Sequence, residues 1–353
     1  MINSQELEIS DNIAMDIEQL ANGGFHPLKT FLNSKDLDSV LTKMRLTNGE
    51  IWPIPILFPK PKNIKIQKNS KLILKYKNFN FAKLTVSEIY KYDLKKLSKL
   101  FFGTLSNDHP GVKYIQKNGD VFITGKLQKF LKLSHILKIN SLEPSQTKSI
   151  IKKKKWKKIV GFHTRNPPHR AHEYLHKCSL ENSDGLLIHP VLGTKKKGDF
   201  TNSAILSGYE AYIENYLPKE NLILTPLLIN SRYAGPKEAI FTAIVRRNYG
   251  CTHFIVGRDH TGVKNFYGEY DSQKIFDKLP DLNIKILKFD EPFFCKHCNQ
   301  ITTKKTCKCT SNFHIKISGT KIRKTIQEKK SLPDYIIRKE VLKTLIKIED
   351  SFI

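Results

Sequence analysis

The strongest constraint on the fold lies after Lys158, where short apolar runs alternate with helical patterns. "KIVGFHT", "GLLIHPVL", "NLILTPLLI", "THFIVGRD" and "NIKILKFD" read as strands. Between them, "HRAHEYLHKCSLEN", "SAILSGYEAYIENYL" and "PKEAIFTAIVRRNYG" read as helices. Strands that are apolar throughout need cover on both faces. Intervening helices supply that cover and also the long crossovers that parallel pairing requires. A parallel α/β sheet is the expected fold here. The first ~150 residues, a usual domain size, are different, with short β-rich runs broken by Gly, Pro and Asn. "GEIWPIPILF" carries two prolines in an apolar run and predicts an edge strand or a bulge. "GTLSNDHPGVKYIQKNGDVFITGKL" predicts a loop, a short helix and a hairpin turned at Asn118-Gly119. This half reads as a small β-barrel-like domain with a helical entry. "LPDYIIRKEVLKTLIKIED" predicts an amphipathic closing helix.

Open parallel sheets bind ligands beyond the carboxyl ends of their strands, so the strand tips deserve the closest reading. "IVGFHTRNPPHRAHE", Ile159 to Glu173, runs from strand to helix through such a tip. Asn166 before a proline suits an N-cap, and Pro167 suits the first helical position. The helix start then aims N–H groups and its positive dipole end above the sheet. Arg165 precedes the turn, while His169 and His172, at i and i+3, share a face. Glu173 is the one evident carboxylate. A lone histidine in such a place reads as a core group; this convergence reads as an anion site. A second tip, "FIVGRDHTGV", offers Gly257, Arg258, Asp259 and His260, and a third, "INSRYAGPKEA", offers Arg232 and Tyr233. Neither G-x-x-x-x-G-K-[ST] nor G-x-G-x-x-G occurs, so phosphate must be held by histidine and arginine.

Charge and cysteines narrow the function further. The formal net charge is +27, with 60 Lys and Arg against 33 Asp and Glu. The lysines are scattered, without an arginine stripe or aromatic interleaving, which favours mild steering of small anions over a nucleic-acid partner. The densest run, "KSIIKKKKWKK", reads as a basic linker. No apolar run approaches the ~20 residues that span a bilayer. The start, "MINSQELEIS", is polar and acidic, so a cytoplasmic location is expected. Cys178 and Cys251 stand alone as inert core thiols, whereas four cysteines cluster in "CKHCNQITTKKTCKCTSNFH". C-x-x-C followed by C-x-C is a tetrahedral zinc pattern. Cys295, Cys298 and Cys307 are expected ligands, with Cys309 or His314 as the fourth and His297 a bystander. Four protein ligands leave no open position, so the expected zinc is structural.

The tip motifs together resemble a known family. "HTRNPPHRAHE" is similar to the Q-T-R-N-P-x-H-R-A-H-E signature of ATP sulfurylases, and "GRDHTGVKNFYGEYDSQ" resembles their G-R-D-H-A-G block. "GGFHPLKTFL", "MRLTNGEIWPIPI", "HPGVKYI", "DGLLIHPVLGTKKKGD", "RYAGPKEA", "RRNYGCTHF" and "ISGTKIR" extend the resemblance from about Gly23 to Arg323. It implies ATP + sulfate → adenosine 5'-phosphosulfate + pyrophosphate, in assimilation or, reversed, in sulfur oxidation, with Mg²⁺ accompanying ATP. It implies a PUA-like N-terminal domain over 1–155, a nucleotidylyltransferase α/β domain over 156–316 with a zinc loop at 295–314, and a C-terminal helical subdomain over 317–353. A homodimer is implied, and no P-loop sequence suggests a fused adenosine-phosphosulfate kinase. Carried over by position, Thr164, Arg165 and Asn166 match the catalytic trio, and His169 and His172 the H-x-x-H pair. His163 to Asn166, Gly257 to His260 and, loosely, Phe293 match ATP-binding positions; Arg165 and Thr261 match sulfate-binding ones. Ser318, Gly319 and Arg323 border the site. His163 departs from the family's glutamine and Thr261 from its alanine, which bears on discrimination among sulfate, selenate and molybdate. The rival readings are a different nucleotidylyltransferase acting on a mononucleotide, disfavoured by "TRNP" with "RYAGP", and an RNA-binding module.

Overall fold

The computed structural model describes residues 4–195, 197–258, 260, 266–328 and 330–353. In chain order the elements are β1 (Gln5–Glu8), α1 (Asp11–Asn22), α2 (Ser34–Lys43), β2 (Phe58–Pro59), β3 (Lys71–Tyr76), β4 (Phe79–Lys91), α3 (Leu94–Phe102), α4 (Pro110–Asn118), β5 (Val121–Lys129), α5 (Leu133–Ile136) and α6 (Pro144–Lys153). There follow β6 (Ile159–Thr164), α7 (Arg170–Leu180), β7 (Gly185–Pro190), α8 (Asn202–Tyr216), β8 (Leu222–Leu224), α9 (Pro236–Asn248), β9 (His253–Val256) and α10 (Asp271–Lys274). The chain closes with β10 (Lys285–Lys288), β11 (Phe293–Cys295), β12 (Gln300–Thr302), β13 (His314–Lys316), α11 (Gly319–Gln327) and α12 (Lys339–Lys347).

Two compact units emerge, each drawn from separate stretches of the chain. One comprises Met1–Lys148, Leu228–Gly250 and Asp259–Ile284; the other comprises Ser149–Leu227, Cys251–Arg258 and Lys285–Ile353. The first holds a sheet ordered β1-β3-β4-β5-β2; β2, Phe58–Pro59, is an edge strand, while Pro53 and Pro55 of the expected edge run precede it outside any strand. The hairpin expected at Asn118-Gly119 is absent. Pro110 instead starts α4 behind a His109 cap, and Gly119, at φ 88°, ends it. The real two-residue hairpin joins β3 to β4 at Lys77 and Asn78, both with positive φ (48° and 66°), the backbone a type I′ turn demands. Phe25, Trp52 and Phe241 of α9 pack with ring centroids 5.1 to 5.7 Å apart in this unit's core.

The second unit carries the parallel sheet, ordered β10-β9-β6-β7-β8. β6 lies centrally, with Ile159 beside Gly185 of β7 and Val160 beside His253 of β9. Gly185 is required there, since an added Cβ would lie 2.3 Å from the Trp156 ring. Val160, Phe162, Leu186, Ile188, Ile205 and Tyr209 form one buried core with Ile337, Val341 and Leu345 of the C-terminal segment. The basic run read as a linker is the end of α6 and the turn into β6. A small antiparallel sheet, β12-β11-β13, completes the unit. Among the described residues, no helix is long and apolar enough to cross a membrane.

Candidate active site and metal centre

The tips of β6, β7 and β9 point the same way because the three strands are parallel neighbours. β6 leads to Thr164, Arg165 and Asn166, and α7 begins at Arg170 rather than at Pro167. The delay follows from the paired prolines. Pro168 excludes the helical conformation from Pro167, and Pro167 does the same to Asn166. His169 becomes the N-cap, its Nδ1 accepting the His172 amide at 3.4 Å. The turn closes on itself: Thr164 Oγ1 accepts the Asn166 N–H at 3.2 Å and lies 3.0 Å from the Asn166 carbonyl.

His169 and His172 do share a face. Their rings stack, with centroids 3.7 Å apart. Burial pushes the His169 pKa down to about 4, and burial with the neighbouring His169 and His176 holds His172 well below the usual histidine value. Both imidazoles are neutral near pH 7. With Nδ1 of His169 accepting, its proton sits on Nε2 and is free to donate. His163 is half-buried on β6, in register with buried His189 of β7.

Cations gather beyond these tips. Lys195, in the segment after β7, donates to the Val191 carbonyl at 3.4 Å. Burial first, then the Arg165 guanidinium, press its pKa down to about 8, against Asp199. Asp199 itself pairs with Arg323 of α11 at 2.9 Å. α11 is capped by Ser318, and a Cβ on Gly319 would lie 3.8 Å from Asn166 Nδ2, so this helix start adjoins the turn. After β9, Gly257 faces open space and Arg258 meets Glu291 at 3.3 Å. Lys195 stands in a lysine triplet and, unlike exposed Lys197, is half-buried.

Other expected site residues have different surroundings. Asp259 and Thr261 lie outside the described residues. His260 is buried in the first unit, its Nε2 2.7 Å from Thr242 Oγ1. Arg232, expected as a third-tip cation, is bound to buried Asp16 in that same unit. Burial pushes the Asp16 pKa up while Arg232 opposes it. Phe293 is buried in β11, its ring stacked on His314 at 3.8 Å. Glu173 accepts both Arg338 donors, at 2.8 and 2.9 Å, together with Lys177 and Arg170.

The cysteine loop forms a second centre. The sulfurs of Cys295, Cys298, Cys307 and Cys309 all lie within 4.8 Å of one another, an arrangement able to hold a metal ion. Cys298 Sγ is 3.9 Å from Cys307 Sγ and 3.5 Å from Cys309 Sγ. Zinc–sulfur bonds of about 2.3 Å give a tetrahedral edge of about 3.8 Å, which these distances fit. His314 is outside this set; its Nε2 is 3.9 Å from Cys307 Sγ and its ring is held against Phe293. Cys309 is thus the fourth member.

Known proteins match this chain along its whole length. The family model described as ATP-sulfurylase matches residues 140–348, and that of a PUA-like domain matches residues 2–132. Sulfate adenylyltransferase of Staphylothermus marinus is 40% identical over 349 residues, covering 98% of this chain and 91% of that one. The enzyme of the same name from Pyrococcus abyssi is 38% identical, covering 99% and 92%. That of Halothermothrix orenii is 40% identical, covering 98% and 90%. Among solved structures, the hexameric APS kinase from Thiobacillus denitrificans superposes with a TM-score of 0.76 at 18% identity. It covers 97% of this chain and 62% of that chain, a likeness of fold alone.

Proposed function

The chain belongs to the ATP-sulfurylase family, and from that membership we propose how its strand tips transfer an adenylyl group from ATP to sulfate. The reaction is ATP + sulfate → adenosine 5'-phosphosulfate + pyrophosphate, and the chain is a nucleotidyltransferase. Sulfate is a weak nucleophile, and the α-phosphorus is screened by its own anionic oxygens. Catalysis therefore rests on holding two anions in line and stabilising charge as it builds.

The observation that carries this reading is the convergence of Arg165 and Lys195 with the starts of α7 and α11 beyond one sheet edge. Arg165 binds sulfate. Asn166 and the helix N–H groups face the transferring phosphoryl oxygens, and Thr164 fixes the turn that presents them. His169, a neutral donor, takes a phosphate oxygen beside His172. Lys195 and Arg258 draw the triphosphate, which enters with its Mg²⁺ as one substrate. By family membership, His163 and Gly257 complete the nucleotide contacts of these strand tips. No covalent nucleophile is required. The enzyme acts as a cytoplasmic homodimer, binds no nucleic acid, and carries a structural zinc on Cys295, Cys298, Cys307 and Cys309. The zinc crosslinks the loop and supplies no chemistry to the transfer.

A coupled assay for pyrophosphate release tests the activity. Release should depend on sulfate, and Arg165→Ala should lower it at least about 100-fold with an unchanged thermal midpoint. Sulfate-independent release, or wild-type turnover in that variant, would remove Arg165 from its role.

A further inference from the structure

The connection from β7 to α8 carries Lys195 and Asp199, and its far end is held by residues 350–353. Phe352 and Phe200 form an antiparallel β-bridge, with their ring centroids 4.7 Å apart. Three backbone N–H groups donate across this bridge: Gly198 to Ile353 at 2.8 Å, Ile353 to Asp199 at 2.9 Å and Thr201 to Ser351 at 2.9 Å. Thr201 Oγ1, which caps α8, also donates to the Asp350 carbonyl at 3.0 Å. Phe200 and Ser351 are buried, and the Phe352 ring packs on the core that α8 and α12 share. Ser351 ties this strap to the end of α12, its hydroxyl donating to the Ile348 carbonyl at 3.1 Å.

We propose that Phe352 is a positioning residue for MgATP: by pinning Gly198 to Thr201 it fixes the segment that presents Lys195 and holds the Asp199–Arg323 pair. This rests on the reaction, and on the role of Lys195, assigned above. Direct contacts make up the route. Within the pinned segment, Asp199 meets Arg323 of α11 at 2.9 Å. The first residue of α11, Gly319, adjoins the Asn166 side chain. The start of the connection is clamped as well, Val191 N–H donating to the Thr164 carbonyl at 2.8 Å and Leu192 N–H to the Leu227 carbonyl at 2.9 Å.

Lys195 thus stands midway between two clamps, one on β7 and one on the strap. Gly193 and Gly198 flank it, and glycine loses more conformational freedom on ordering than any other residue. Gly198 is held at φ +84°, one of many conformations open to it without the bridge. A segment already ordered before nucleotide arrives loses little further entropy on binding. The gain appears as affinity, since it is the same in the ground state and in the transition state. A phenyl ring that served packing alone would change stability and leave MgATP affinity where it is.

The test sets MgATP affinity, from calorimetric titration of the full-length protein without sulfate, beside steady-state kinetics and amide exchange. Phe352→Ala should weaken that affinity and raise KM for MgATP about tenfold, keep kcat within about twofold, and speed exchange at Gly198 and Thr201. Phe352→Leu, which restores apolar bulk at the bridge, should recover most of the affinity. Val341→Ala, in the core of α12, should lower the thermal midpoint and leave KM unchanged. Combined with Asp199→Asn, Phe352→Ala should weaken affinity by less than the product of the two single effects. Unchanged affinity in Phe352→Ala, a fall in kcat at constant KM, an equal rise of KM in Val341→Ala, or a fully multiplicative double variant would each overturn the proposal. If Phe352→Ala does not fold, Ser351→Ala loosens the same strap from α12 with little loss of packing. KM for MgATP should then rise at least about threefold, and an unmoved KM overturns the proposal equally. Absence of sulfate-dependent turnover in the wild type would instead sink the assigned reaction, while the calorimetric affinities still judge the strap.

Discussion

Lys195 shows how a single residue's surroundings decide its chemistry. Partial burial, with Asp199 opposing and the Arg165 guanidinium adding to it, presses the Lys195 pKa down to about 8. Below about 8 it attracts anions; above that value it does not. The KM for MgATP should therefore rise between pH 7 and 9, and Lys195→Arg, whose guanidinium stays charged, should flatten that rise. A KM independent of pH in the wild type would exclude Lys195 from binding. At this scale the sequence was informative wherever chemistry is local. His169 and His172 were expected together from their i and i+3 spacing, though His169 stands as the extended N-cap of α7 rather than within the helix. Arg232 was misread because its partner, Asp16, is 216 positions away, and sequence spacing carries no trace of that pairing.

Among the elements, α7 is tied to the C-terminal segment through Glu173. Burial would raise this carboxyl's pKa, but Arg338, Lys177 and Arg170 outweigh it and hold the pKa below the usual range. The stabilisation is thus present above the unfolded-state value and is lost as pH falls through the lower folded value. Arg338→Ala removes two charge-assisted bonds to a nearly buried carboxylate. With two cations left, the expected cost is about 2 kcal/mol, read as a lower midpoint in urea denaturation. The loss should shrink at acid pH, where Glu173 is protonated. The alternation of strands and helices was readable because burial on both faces dictates apolar runs. The start of α7 was misplaced by three residues because the rule for proline at a helix start was applied without its neighbour rule. The hairpin at Asn118-Gly119 failed for a related reason. A favourable turn pair is overruled when a capped helix already runs into it.

For the whole molecule, the family fold was legible, whereas the grouping into compact units rests on contacts between distant stretches. A unit assembled from three separate stretches requires long-range packing, such as Phe241 of α9 against Phe25 and Trp52, that no local pattern encodes. The cysteine cluster was legible in its spacing, whereas the sequence left Cys309 and His314 as alternatives; the Cys309 sulfur lies with the other three while the His314 ring stacks on Phe293. Metal analysis of the purified protein should find about one zinc per chain. Cys309→Ser should lose it to a mild chelator, whereas His314→Ala should retain it. The reverse result would exchange the fourth ligand. Beyond the loop, Ile317 alone stands between Lys316, which ends β13, and the Ser318 cap, with Gly319 next to Asn166. Such a short tether has no slack to absorb a shift. Release of the ion would tilt the tip of α11 before any core residue is exposed, so turnover should fade at chelator concentrations that leave the protein's melting curve almost unmoved.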